Sequence, residues 1–183
     1  MGKKIQLKNV RLSFADIWTA RAFEEGAEPK YGATFLVEKG SENDKAIQAA
    51  IKEVAKESWG AKADSNLAKI KGNPNKEGYR DGDTQDYDGY ANNNFIRASG
   101  KVRPTIVNKN RSPLTEADGV IYSGCYVNAI IDIYAYDSKG VGISAGLKGI
   151  QFVKDGEAFS GGGVASADDF EDIEEGADAD EFA

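Results

Sequence analysis

The chain has 183 residues, of which 40% are hydrophobic, so it is long enough for one well-cored domain, yet its apolar runs fall far short of the roughly 18 residues that a membrane-spanning helix needs. It contains one cysteine and no histidine, which excludes an internal disulfide, a thiolate zinc cluster and catalysis by Ser/His/Asp or Cys/His sets. The formal net charge is −7.

Two strands are predicted in the first 40 residues. Residues 5–14 alternate apolar and polar side chains, with a slip near Asn9 and Val10 that indicates a β-bulge. Residues 31–37 are β-branched and aromatic and follow loop-like residues 24–29. Because the alternating pattern starts at once, without the apolar stretch of a secretory signal, we expect a cytoplasmic protein.

One amphipathic helix is predicted over residues 42–59. Ser41 and Asp44 form a capping signature, apolar residues follow at helical spacing, and Gly60 is placed to end the helix. Residues 64–71 favour a further short helical turn.

Residues 72–94 are rich in Gly, Asn, Asp and Tyr and are predicted to form a long irregular loop, a kind of segment that is usually functional or mobile. Within it, residues 81–88 resemble a calcium-binding loop. Asp86 stands where such a loop needs glycine, however, and Asn92 stands where it needs glutamate, so a solvated loop is favoured.

The second half of the chain predicts strands. They cover residues 95–99, residues 102–107 and a long hairpin of residues 125–136 and 141–153. The strand of residues 102–107 is expected at a sheet edge, because Pro104 cannot donate a backbone hydrogen bond to a neighbouring strand. Cys125 is interpreted as a small buried residue. A mainly β chain with one main helix favours a β-barrel, of which the OB-fold is the type that binds oligonucleotides.

Aromatic and basic side chains are interleaved on these strands. Bases stack on aromatic rings while Lys and Arg contact phosphates, so the pattern indicates nucleic-acid binding, although each aromatic residue could instead fill the core. The candidate contacts are Tyr31, Phe35, Phe95, Arg97, Lys101, Arg103, Tyr122, Tyr126, Tyr134, Tyr136 and Lys148.

The last residues differ in composition from the rest of the chain. Residues 160–163 read Ser-Gly-Gly-Gly, as in flexible linkers, and residues 165–183 hold nine of the 30 acidic residues and no basic one. We therefore divide the chain into a weakly basic binding domain, 1–159, and a linker with an acidic tail, 160–183. The predicted partner-binding residues of the tail are Asp168, Asp169, Phe170, Glu171, Asp172, Asp180, Glu181 and Phe182.

The body also resembles a known family. The segments that carry the resemblance are residues 11–14, 29–35, 122–128 and 134–136, followed by Gly142 and residues 147–151. They are similar to those of the phage single-stranded-DNA-binding proteins of OB-fold type, in the plan found in the T7-like phages. The resemblance implies an OB barrel, sequence-tolerant binding of single strands in replication and recombination, no catalysis, and an acidic tail that ends on an aromatic residue. Here Phe182 is the penultimate residue.

Two other functions remain open from the residues alone. One is a metal-dependent phage nuclease that uses Asp81, Asp83, Asp86 and Asp88, and the other is a structural virion protein. For the DNA-binding function we expect no cofactor and no metal. The partners would be single-stranded DNA and phage or host replication and recombination proteins, and the sequence leaves open whether the chain forms a homodimer.

Overall fold

The first strand, β1 (Lys3–Arg21), is longer than predicted, and its pairing register shifts at three places, the last of them between Asp16 and Arg21. A computed structural model describes residues 2–22, 24–159, 170, 171 and 173. The predicted bulge is confirmed, since the pairing register with β6 (Tyr126–Tyr136) shifts between Leu7 and Val10. A second shift, in pairing with β2 (Lys30–Glu38), lies between Ser13 and Asp16. These bends let one strand pair with two neighbours in succession around a curved sheet.

The helix is found where its capping residues predict it. Helix α1 (Glu42–Trp59) begins after Ser41, whose hydroxyl accepts a hydrogen bond from the Asp44 N–H at 3.2 Å, and ends at Gly60, which has a positive φ of 55°. A short second helix, α2 (Ala63–Ile70), follows. No helix within residues 2–22 and 24–159 is long and apolar enough to cross a membrane.

The prediction of irregular structure throughout residues 72–94 is wrong in part. The segment contains a short strand, β3 (Tyr79–Asp81), which pairs with β4 (Asn93–Gly100). Only Tyr79 of this strand is buried, so β3 has no alternating pattern that could mark it in the sequence.

The remaining strands close the sheet. The predicted hairpin consists of β6 and β7 (Gly142–Lys154), and the short β5 (Thr105–Val107) lies at a sheet edge beside β7, as Pro104 predicts. The strands follow the order β3-β4-β2-β1-β6-β7-β5, and a parallel contact between Ser99 and Gly146 joins β4 to β7. This contact closes β1, β2, β4, β7 and β6 into a barrel, which confirms the predicted fold class.

Apolar side chains fill the barrel. Leu7, Ile96 and Ile131 are buried inside it, and α1 adds Ile47 and Val54 to the same core. Cys125 is fully buried, as expected, and burial raises the pKa of its thiol. The expected linker and tail, residues 160–183, lie outside the described residues except for 170, 171 and 173.

Candidate nucleic-acid interface

A groove of about 500 Å³ lies on the outer face of the barrel, between β1, β2, β4 and the loop of residues 82–92. We call it the aromatic groove. Its aromatic and charged lining residues are Phe14, Tyr87, Tyr90, Phe95, Asp16, Arg21, Arg80 and Arg97. With aromatic rings and three arginines against one carboxylate, it has the composition of a surface that binds single-stranded nucleic acid.

The four rings form one continuous cluster. Phe14 and Tyr87 meet edge to face with ring centroids 5.0 Å apart, Tyr87 lies 5.3 Å from Tyr90, and Tyr90 lies 5.3 Å from Phe95. Tyr90 and Phe95 are buried, whereas Phe14 is 49% and Tyr87 53% exposed. The cluster therefore offers two accessible rings held on a buried aromatic base.

Local backbone geometry places these rings. Phe14 has a φ of 44°, in the left-handed region, at the point where the register of β1 with β2 shifts. The hydroxyl of Tyr90 donates a hydrogen bond of 3.1 Å to the Ser13 hydroxyl. This bond ties the loop to β1, so Tyr87 and Phe14 are held together although they are far apart in sequence.

Arg97 supplies a cation at the floor of the groove. It donates to the backbone oxygen of Phe14 at 2.6 Å, and its Nη2 lies 3.7 Å from a carboxylate oxygen of Asp16. A Cβ on Gly32 would lie 2.5 Å from Nη2, so the absence of a side chain there makes room for the guanidinium. Burial lowers the pKa of Arg97, and Asp16 opposes that shift. A partly desolvated guanidinium at the floor of a groove is well suited to a phosphate.

Tyr31, Lys101 and Arg103, which the sequence predicts as contacts, lie near the end of the β2–β4 pairing, where Tyr31 pairs with Gly100, and none of them lines the aromatic groove. The Arg103 guanidinium lies 5.8 Å from the Tyr31 ring centroid and donates to the Trp18 carbonyl at 2.8 Å. Lys101 forms an exposed ion pair of 3.1 Å with Glu28.

A second groove, of about 790 Å³, lies on the other side of the loop. We call it the Arg11 groove. Gly89 borders it while Tyr90 borders the aromatic groove, so the backbone at residues 89–90 stands between them. Tyr126, predicted from the sequence, lines this second groove, and the guanidinium of Arg11 lies 5.9 Å from its ring centroid.

Other predicted contacts lie elsewhere. Phe35 is fully buried in the barrel core, so its assignment as a DNA contact is wrong, because no base can reach its ring. The hydroxyl of Tyr122 contacts Asp155 and Gly156, and thus holds the segment after β7. Tyr134 and Lys148 are exposed on β6 and β7 but line neither groove. Tyr136 lies beside Tyr134, with ring centroids 6.4 Å apart.

Sequence reasoning missed Phe14, Tyr87, Tyr90, Arg80 and Arg11. The first three form contacts that arise only when the loop folds back over the sheet. The loop's length and its tyrosines were the available signal, since long loops are often functional.

Two acidic residues where β3 meets that loop, Asp81 and Asp83, are engaged with a lysine. Nζ of Lys39 lies 2.6 Å from Asp81 and 2.6 Å from Asp83. These hydrogen bonds raise the pKa of Lys39 and lower the pKa of both carboxyl groups. A cation therefore already sits between two of the four carboxylates that the nuclease hypothesis would use for a metal, Asp81 and Asp83.

Asp168, Asp169, Asp172, Asp180, Glu181 and Phe182 lie outside the described residues. Phe170 is 74% exposed, and Glu171 is exposed as well.

Comparison with known proteins gives consistent matches. Residues 3–183 match a protein family described as Enterobacter phage Enc34, ssDNA-binding protein. Putative protein p50 of Acyrthosiphon pisum secondary endosymbiont phage 1 is 47% identical over 173 residues, covering 93% of this chain and 94% of that protein.

Among solved structures, the single-stranded DNA-binding protein from bacteriophage Enc34 in complex with ssDNA is 29% identical. The match has a TM-score of 0.72 and covers 85% of this chain and 88% of that one. A more distant match is gp2.5, a single-stranded DNA binding protein encoded by bacteriophage T7, at 11% identity and a TM-score of 0.57, covering 90% of this chain and 98% of that one. At that identity the likeness extends to the fold alone.

Proposed function

The chain belongs to the phage single-stranded-DNA-binding protein family described for Enterobacter phage Enc34, and on that premise we propose that it coats and protects single-stranded DNA without sequence specificity during replication and recombination. The observation that carries the proposal is the aromatic groove, where the exposed rings of Phe14 and Tyr87 lie beside Arg97. Stacking accepts any base because every base has a π-face, and arginine contacts the phosphates.

The same site supports binding without catalysis. The chain has no histidine, and Lys39 is paired with Asp81 and Asp83, the first two residues of the set that the nuclease hypothesis uses. We therefore assign the loop of residues 82–92 a structural role, namely to hold Tyr87 and Tyr90 over the sheet.

We propose that the protein, as a member of a phage family, works in the cytoplasm of an infected bacterial cell. There the tail, residues 160–183, would recruit phage or host replication and recombination proteins and compete with DNA as a polyanion. The support is compositional: nine acidic residues without a basic one, after a glycine-rich segment.

The test is a titration of the full-length protein with fluorescently labelled oligo(dT) and with a matched duplex, at two salt concentrations. We expect preferential binding of the single strand, with a log–log salt slope of about −0.7 per phosphate contacted. Equal affinity for the duplex, or no binding of either, would contradict the proposal. Mg²⁺-dependent cleavage of the oligonucleotide would instead favour the nuclease.

A further inference from the structure

The segment that leaves the barrel after β7 crosses the outer face of β1. We call residues 155–159 the strap. It has no regular secondary structure, and it ends with Phe159, whose N–H donates to the Ser123 carbonyl at 3.1 Å. Arg11 donates to the Glu157 carbonyl and, through Nε, to the Gly124 carbonyl at 3.0 Å. The strap thus lies against the wall of the Arg11 groove.

The ring of Phe159 lies beside that groove, between the Arg11 guanidinium and a cluster of apolar side chains. The Arg11 guanidinium lies 4.1 Å from its ring centroid, and the ring also packs against the buried cluster of Leu36, Tyr90 and Phe95. A Cβ on Gly89, which has a φ of 83°, would lie 2.6 Å from the ring, so glycine at that position leaves the space that the ring fills. A guanidinium face on one side and apolar side chains on another form the environment in which a nucleobase stacks.

The surroundings also suit a nucleic-acid strand. The adjacent groove of about 790 Å³ carries Lys8 and Arg11, together with Lys39 and the acidic residues Glu38 and Asp83. Asp83 is already paired with Lys39 at 2.6 Å. Gly89 lines this groove and the neighbouring Tyr90 lines the aromatic groove, so a strand that leaves one could enter the other.

We propose that the Arg11 groove is a second nucleobase-binding subsite and that Phe159 stands in for a base while no strand is bound. This inference rests on the proposed function. A strand longer than the aromatic groove displaces Phe159, stacks a base on Arg11 and frees the strap from β1. A strand too short to pass residues 89–90 leaves the strap in place.

Hydrogen exchange of the full-length protein, measured by mass spectrometry with and without saturating oligo(dT), tests the displacement. The two probes are oligonucleotides of about 4 and about 16 nucleotides, the range of site sizes known for OB-folds. We expect the longer one to accelerate exchange in peptides covering residues 156–159 while it slows exchange around Tyr87 and Arg97. The shorter one should slow exchange only around Tyr87 and Arg97. Strap amides that stay unchanged or become better protected with the longer oligonucleotide bound would overturn the proposal.

Substitution supplies an independent measurement. Phe159→Ala in the full-length chain should tighten binding of the longer oligonucleotide by roughly two- to five-fold, the size of one arginine–aromatic contact, and leave binding of the shorter one unchanged. Arg11→Gln should weaken binding of the longer one. Phe170→Ala is the matched control, since Phe170 is an exposed aromatic residue further along the same segment. Equal effects of Phe159→Ala and Phe170→Ala would overturn the proposal, and the exchange measurement on the unmodified chain decides it even if a variant fails to fold.

Different results would overturn the proposed function and the second subsite. Absence of binding to both oligonucleotides overturns the proposed function and the subsite together. Binding that depends on Tyr87 but leaves the strap in place overturns only the subsite.

Discussion

Each exposed ring of the aromatic groove is supported by a buried one. Tyr90 and Phe95 are 2% and 5% exposed and cannot move without disturbing the sheet, so the accessible faces of Phe14 and Tyr87 are preorganised. A side chain that is already ordered loses little conformational entropy when a base stacks on it. Almost all of the stacking free energy at these positions should therefore contribute to the free energy of DNA binding.

Tyr87→Ala should raise the Kd for oligo(dT) roughly 5- to 150-fold, equivalent to about 1–3 kcal/mol of stacking. Because Tyr87 is 53% exposed, the fold should be retained. The measurement is fluorescence anisotropy at constant salt, with circular dichroism to verify folding.

Tyr134→Ala is the matched control for Tyr87→Ala. Tyr134 is 37% exposed on β6, next to the residue that pairs with Lys3 at the start of β1, whereas Phe14 lies much further along β1. We expect Tyr134→Ala to leave the Kd nearly unchanged. An equal loss in both variants would mean that DNA follows β6 and would contradict the assignment of the groove.

Residue type alone was enough to predict some side chains of the aromatic groove, but it could not show which face of the sheet each side chain lies on. Arg97 and Phe95 were predicted and line the aromatic groove. The prediction that Phe35 contacts DNA was wrong. Residues 33–37 are buried on both faces of β2, because the loop and Tyr90 cover the outer face. A strand buried on both faces loses the alternation that would have assigned Phe35 to the core. Tyr87 could not be found from a local pattern, because its partners come from β1 and from its own folded loop.

At the scale of elements, one buried carboxylate connects the helix to the sheet. Asp44, in the first turn of α1, is 5% exposed and accepts a hydrogen bond of 2.6 Å from the Tyr79 hydroxyl on β3. It also accepts bonds from Gly40 N–H at 2.8 Å, from Gln48 at 2.8 Å and from Asn94 on β4 at 3.3 Å. The network fixes α1 against β3 and β4, on the side of the sheet from which the loop of residues 82–92 begins.

Asp44→Asn should destabilise the protein by about 1–3 kcal/mol, because an amide nitrogen would then face one of the buried donors. Urea unfolding measures the change. Glu57→Gln, an exposed acid on the same helix, is the control and should change the free energy of unfolding by less than about 0.5 kcal/mol. A change for Asp44→Asn no larger than that of the control would contradict the structural role of the network.

The same carboxylate predicts a pH dependence. Burial by itself raises the pKa of Asp44, but the hydrogen bonds from Tyr79, Gly40, Gln48 and Asn94 outweigh it and hold the pKa below the ordinary value of 3.8. The resulting stabilisation is present above that value and is lost as the pH falls through the folded-state pKa. The stability difference between the wild type and Asp44→Asn should therefore shrink below about pH 4. If the stability difference instead grows on acidification, the pKa of Asp44 is not lowered in the folded state.

Elements with local signals were predictable, and those made by tertiary pairing were not. The capping residues and apolar spacing of α1 and the turn of the β6–β7 hairpin are encoded within a few residues, and both elements are found where expected. Strand β3 exists because β4 offers it backbone partners from Tyr79 to Asp81, and nothing within its own three residues indicates that pairing. The mainly β barrel was nevertheless predicted correctly, because the strands that close it have recognisable sequence patterns of their own.

At the scale of the whole molecule, charge is unevenly distributed. Residues 165–183 hold nine acidic residues and no basic one, while the residues before them hold 23 basic and 21 acidic ones. The strap ends at Phe159, beside the Arg11 groove, and the acidic segment follows it in the sequence. A short polyanion attached at that point is expected to compete with DNA for the same cations.

Deletion of residues 165–183 should tighten single-strand binding, most strongly at low salt, where electrostatic attraction is least screened. The reason is that a linker of the glycine-rich composition of residues 160–163 is expected to hold the acidic segment at an effective concentration on the order of millimolar, which makes even weak binding to a groove competitive. Titrations with oligo(dT) at low and high salt measure the effect. Unchanged affinity at low salt would rule out competition by the tail.

Phe182 should act differently from the acidic residues around it. One aromatic side chain adds almost nothing to charge competition, but it can fill a pocket on a protein partner and contribute much of that binding energy. Phe182→Ala should therefore leave the Kd for oligo(dT) unchanged at every salt concentration and reduce capture of phage or host replication and recombination proteins by the immobilised full-length protein. Phe170→Ala separates an effect of the terminal aromatic residue from a general loss of aromatic character in the tail. Undiminished capture by the Phe182→Ala protein would contradict docking through this residue, and an altered DNA affinity would place Phe182 at the DNA-binding face instead.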